Sequence, residues 1–178
     1  MPDTLVVPIR GVVLSRLSSH DDDRGSLTEI WRREWIEGSS EMVQAVLSHS
    51  RAGVLRGLHV HAEQADYWCV VSGVAFVGLF DLRAGSPTEG VKAEVRIEAD
   101  AERQGLYIPP GVAHGFYAET DVHLQYLVDR VFTGADEFGL AWDDPEVGIG
   151  WPVERPELSA RDRSNPGLAD APRFSYPG

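Results

Sequence analysis

The chain has 178 residues, 43% of them hydrophobic and 25% charged, a balance that suits one globular domain spanning residues 1–178. Its formal net charge of -12 excludes a nucleic acid as the natural partner, because phosphates are repelled unless a strong basic patch receives them. Cys69 is the single cysteine, which rules out an internal disulfide, and no long apolar run marks a membrane span or signal peptide, so the expected setting is the cytoplasm.

In chain order, alternating or apolar runs rich in valine and aromatic residues predict strands. The first cover residues 4–7, 11–15 and 26–31, with the acidic run Asp21-Asp22-Asp23 between the second and third. A longer one covers 42–50. Two more, 65–72 and 74–81, meet at Ser72-Gly73, a tight-turn signal. The last cover 92–97, 105–108, 115–118 and 123–128. Helical periodicity is absent throughout. Many short strands at regular spacing predict an all-β fold, best drawn as a double-sheet jelly roll. Pro145, Pro152, Pro156, Pro166, Pro172 and Pro177 set the end of the chain apart. The expected layout is a core over about 23–145 and an irregular or partly helical tail over 146–178.

The chemistry concentrates in Leu55-Arg56-Gly57-Leu58-His59-Val60-His61, then Asp66, Gly73 and Pro109-Pro110-Gly111-Val112-Ala113-His114. In a strand, residues two apart share a face, so His59 and His61 can converge on one cavity. Asp66 and His114 would complete a set of three imidazoles and one carboxylate. Such a set suits a divalent transition metal: Zn, Fe, Ni or Mn. The plainer alternative makes His61 and Asp66 a hydrogen-bonded pair lining a polar cavity, and His114 a wall residue that positions substrate. Arg56 falls on the opposite face from His59 by strict alternation, so a bulge or bend at Gly57 is needed to bring both to one cavity.

The ordered pieces Asp23-Arg24-Gly25-Ser26-Leu27-Thr28-Glu29, Gly53 to His59, Ile108 to Phe116, Trp142-Asp143-Asp144-Pro145 and Leu158-Ser159-Ala160-Arg161-Asp162 resemble the dTDP-4-dehydrorhamnose 3,5-epimerase family of cupins. The resemblance implies a cupin-type barrel and an isomerase that moves protons beside the 4-keto group of a nucleotide-linked sugar, in deoxysugar or polysaccharide biosynthesis. It implies that His59 is the general base and Asp162 its orienting partner. Arg24 and Arg56 would contact the diphosphate, and Glu29 and Gln44 would lie near the nucleotide base. No cofactor is required on this reading. Family members are usually homodimers that exchange N-terminal strands, which would carry Arg24 to the neighbouring site.

Two departures stand out. Counting from Gln64, the family's lysine position is Asp66, so the positive charge for an enolate oxygen is missing. Counting back from Glu137, the family's acidic tyrosine falls on Phe132, which has no proton to give. His61 replaces a family glutamine. His-x-His, Asp66 and Gly73, followed by Pro109-x-Gly111-x-x-His114, resemble the two metal-binding motifs of metal cupins. If His59 ligates a metal it cannot also be the free base, because its lone pair is used once; Asp66 would then handle the proton. The rival functions are a metal-dependent cupin lyase or oxygenase and a ligand-binding cupin without catalysis.

Overall fold

The computed structural model describes residues 2–177. Strands β1 (Asp3–Leu5), β2 (Val13–Arg16), β3 (Ser19–Asp22) and β4 (Gly25–Thr28) come first. Then follow β5 (Gln44–Ser50), β6 (Leu55–Val60), β7 (Asp66–Ser72) and β8 (Val74–Asp81). β9 (Arg83–Ala84), β10 (Lys92–Glu98), β11 (Gln104–Ile108), β12 (Val112–Ala118) and β13 (Val122–Val128) complete the main body. Short strands β14 (Phe138–Gly139) and β15 (Phe174–Ser175) lie in the last third. Helical structure among the described residues is limited to 3-10 turns at Arg33–Trp35 and Asp162–Ser164.

Two sheets face each other. The six-stranded sheet runs β1-β2-β11-β7-β13-β5 and the five-stranded sheet runs β10-β8-β12-β6-β14. This is the expected double-sheet jelly roll. The neighbouring strands β7 and β8 turn at Gly73, whose φ of 87° only glycine adopts freely. Leu14, Trp68, Val70 and Leu106 of one sheet pack with Val77, Leu79, Ile97 and Phe116 of the other, forming the main core. Cys69 is buried within β7, where burial pushes its thiol above the ordinary range. That fits an inert core thiol.

The core is wider than the expected 23–145. β2 pairs with β11, and Ile9, Val12 and Leu14 are buried in the main core, so the fold begins well before Asp23. The tail does more than cross the surface. Val147, Leu168 and Ala171 are buried against Leu58, Val60, Phe80 and Leu82, covering the outer face of the five-stranded sheet. Asp144 anchors this wrap, accepting bonds from the backbone N–H groups of Leu168 (2.8 Å), Glu146 (2.8 Å) and Val147 (3.2 Å).

The strand that carries the site, β6, is absent from the sequence-predicted set because its burial does not alternate. Its pairing with β12 explains why. His114 lies opposite His59 and Phe116 opposite Arg56, so two steps on β12 match three on β6. One extra residue on β6 makes a bulge, and the parity of facing is reversed across it. Arg56 and His59 therefore reach the same side, as the sequence required. Gly57 makes this possible, with φ of 123° and a position where a Cβ would lie 2.7 Å from Gly115 Cα and 2.9 Å from the His114 carbonyl oxygen. Both obstacles are backbone. Gly57→Ala is expected to cost about 3 kcal/mol and lower Tm by roughly 6–12 °C in calorimetry. A fall of under about 2 °C would mean that the bulge relaxes without loss.

Candidate active site

A cavity of about 180 Å³ opens between the sheets. The five-stranded sheet supplies Arg56, His59, His114 and Phe116, and the six-stranded sheet supplies Ser48, Asp66, Trp68 and Tyr126. A wider groove of about 720 Å³ continues outward; it shares His61, Gln64, Phe132 and Glu137 with the cavity. The groove is larger, but the ionisable groups converge in the inner cavity.

His59 and Asp162 form the expected pair. His59 Nε2 lies 2.9 Å from Asp162 Oδ1 across 103 residues of chain. The tail is fixed beside β6 by a bridge between Val54 and Glu157, and Leu55 N–H donates to the Glu157 carbonyl at 2.9 Å. This places the 3-10 turn of Asp162 behind the imidazole. Burial works to raise Asp162, but hydrogen bonds from His59 and other donors outweigh it, and its carboxyl lies below the ordinary value. The ionised carboxylate accepts from Nε2–H. Nδ1 of His59 then keeps its lone pair, the tautomer a general base needs.

His61, Asp66 and His114 form a second group. All three are buried, and one ligand atom from each lies within 4.8 Å of the others. Asp66 points into the cavity, on the same face of the chain as Gln64 and Trp68. Gln64 Nε2 donates to one carboxylate oxygen at 2.8 Å and Trp68 Nε1 to the other at 3.0 Å. Burial pushes His114 down to about 4, against the pull of Asp66, so its imidazole is neutral at physiological pH. The four-ligand set drawn from the sequence is divided by the fold. His59 turns to Asp162 and stands outside the group of three, because the bulge and the tail give its nitrogen another partner.

The proposed substrate contacts are distributed unevenly. Arg56 lines the cavity and is held by Ser50 Oγ at 2.8 Å. Arg24 does not. It stands at the tip of the β3–β4 hairpin, exposed and ion-paired with Asp22. Glu29 is also remote from the cavity, paired with Arg32 beside a separate recess lined by His20 and Trp35. Gln44 sits at the start of β5, where its side-chain oxygen accepts the Phe132 N–H at 2.9 Å, near the mouth. Trp142 and Trp151 belong to packing: Trp151 bonds the Trp142 carbonyl and lies edge-on to Phe76.

Of the cavity residues outside the sequence-predicted site, Tyr126 carries the most chemistry. Among the described residues lining the cavity, Tyr126 is the single phenol. It stands opposite Trp68 on the neighbouring strand, and burial, then the Asp66 carboxylate, pushes its hydroxyl above the ordinary value. The alternation of β13 carries the signal, since Leu124 and Tyr126 face inward together. Phe132 stands at the mouth with 58% of its surface exposed.

Residues 6–170 match the model of a family described as dTDP-4-dehydrorhamnose 3,5-epimerase. A dTDP-4-dehydrorhamnose 3,5-epimerase of Streptomyces griseus is 35% identical over 175 residues, covering 93% of this chain and 86% of that one. The fold is similar to the crystal structure of a dTDP-6-deoxy-D-glucose-3,5-epimerase from Legionella pneumophila in complex with dTDP-4-keto-L-rhamnose. The TM-score is 0.90 at 28% identity, covering 99% of this chain and 100% of that one. It is also similar to a 3'-monoepimerase from Streptomyces bikiniensis, crystallised with dTDP as a double variant with one histidine changed to asparagine and one tyrosine to phenylalanine. There the TM-score is 0.85 at 30% identity, covering 92% of this chain and 86% of that one.

Proposed function

We infer the function from a plain premise: the chain belongs to the dTDP-4-dehydrorhamnose 3,5-epimerase family. It is an epimerase-like enzyme acting by proton transfer on a dTDP-type 4-keto-6-deoxy sugar in carbohydrate biosynthesis. The observation that carries this reading is the His59–Asp162 pair at 2.9 Å, lining one cavity with Tyr126 from the opposite sheet.

In our reading, His59 Nδ1 takes the proton from the carbon next to the keto group. The imidazolium so formed is stabilised by the Asp162 carboxylate behind it. The electron pair moves onto the keto oxygen as an enolate. Tyr126 gives a proton to the same carbon from the other face, and solvent restores both groups. Burial keeps the Tyr126 phenol protonated, as an acid must be before it acts. The acid that Phe132 cannot supply is thus available from Tyr126. A histidine and a tyrosine are also the residue types replaced in the Streptomyces bikiniensis variant.

The sugar fits the inner cavity and the nucleotide extends along the outer groove. Arg56 takes the diphosphate, and the exposed Phe132 ring, braced by Gln44, offers a face to the base. Arg24 and Glu29 serve the site of a second copy in a homodimer. The exposed Leu27 of β4, Val43 just before the edge strand β5 and Leu47 within it supply an apolar surface for that association. The setting is the cytoplasm, where the thiol of Cys69 stays reduced. The test is incubation with a dTDP-linked 4-keto-6-deoxyhexose in heavy water. Deuterium should enter the carbon beside the keto group, read by NMR; an unlabelled sugar with active comparison enzyme in parallel would sink the reading.

A further inference from the structure

The geometry points to a divalent-metal site formed by His61, Asp66 and His114 in the wall of the sugar cavity. His61 Nδ1 lies 2.6 Å from the Asp136 carbonyl oxygen, and His114 Nδ1 lies 2.9 Å from the Val112 carbonyl oxygen. A carbonyl oxygen only accepts, so each Nδ1 carries the proton and each Nε2 is left with a bare lone pair. His114 Nε2 is 3.7 Å from Asp66 Oδ2, too far for a hydrogen bond. Two lone pairs and an anionic carboxylate therefore meet at the cavity wall; Gln64 and Trp68 donate to the carboxylate, and no donor among the described residues reaches either Nε2. Such a cluster of acceptors favours a cation.

The surroundings match what metal ligands require. Ligating histidines generally donate their second ring nitrogen to a carbonyl or carboxylate, and ligating carboxylates are themselves hydrogen-bonded. Both histidines here use a backbone carbonyl, and Asp66 is held by Gln64 and Trp68. Asp136 also pins the turn after His61, accepting from the N–H groups of Ala62, Glu63 and Gln64 at 2.7–3.0 Å. The donor set of two imidazoles and one carboxylate suits a zinc-like or iron-like divalent ion with open positions. Those positions face the cavity that His59 and Tyr126 line.

An ion held here supplies the positive charge that Asp66 cannot, polarising a keto oxygen. That role rests on the epimerase reading; the site does not, because ion binding is measured without any sugar. The test uses full-length protein stripped with a chelator and titrated with Co²⁺ and Zn²⁺ by calorimetry and visible absorption. The expected result is saturable binding of one ion per chain, with cobalt d–d bands. Asp66→Asn and His114→Gln should each weaken it more than the roughly 10–100-fold that losing a ligand's hydrogen-bond partner costs. His123→Gln, in the exposed stacked pair His49–His123, should leave it unchanged. No saturable binding by the unaltered protein overturns the proposal, whatever the variants' folding. Binding that survives both cavity substitutions, or that His123→Gln abolishes, overturns it as well.

Discussion

His59→Ala is expected to lower turnover by about a hundredfold to ten-thousandfold, the usual span for a positioned acid or base. The barrel should survive, because His59 projects into the cavity with 26% of its side chain exposed and belongs to neither main apolar cluster. Deuterium exchange should fall with turnover, since removal of the first proton is the lost step. Asp162→Asn should be milder. The imidazole remains, but its Nε2–H loses the carboxylate that sets the tautomer and steadies the cation. Rates are measured on the same keto sugar, with circular dichroism to establish folding. A His59→Ala protein that turns over at a near-native rate would remove the base from this site.

Tyr126→Phe is expected to separate the two halves of the reaction. Proton removal by His59 should continue, so deuterium should still exchange into the sugar from the original face. The inverted product should fall by about a hundredfold or more, because no phenol remains to deliver a proton from the other side. Phe132→Tyr should change little, as that ring stands at the mouth of the cavity, 58% exposed and shared with the outer groove. NMR of the product sugar measures both effects. If Tyr126→Phe inverts at the native rate, Tyr126 is not the acid, and if Phe132→Tyr also accelerates the reaction, position 132 can host one.

The strands were largely legible because their chemistry is local. β8 and β13 fall within a residue of expectation, since valine-rich runs bounded by glycine or acidic turns announce themselves. β6 was hidden for the opposite reason. It is buried on both sides and carries a bulge, so alternation fails where the function sits. The roles of His59 and Asp162 came from resemblance, not from spacing: nothing local indicates that a tail carboxylate will travel back to β6. Counting along the chain sets the family's acid position at Phe132, but it cannot show which other side chains line the cavity; the pairing of β13 with β7 is what brings Tyr126 there.

By itself the sequence determined an all-β barrel and the residue types that would meet within it. Hydrophobic alternation is a nearest-neighbour property, and it fixes which side chains leave water. Tertiary structure decided how those residues divide. The extra residue at Gly57 turned Arg56 and His59 to one side. The tail gave His59 a carboxylate partner, while backbone carbonyls took the Nδ1 protons of His61 and His114. A lone pair or a proton serves one partner at a time, and partners brought from distant parts of the chain settle which one it serves.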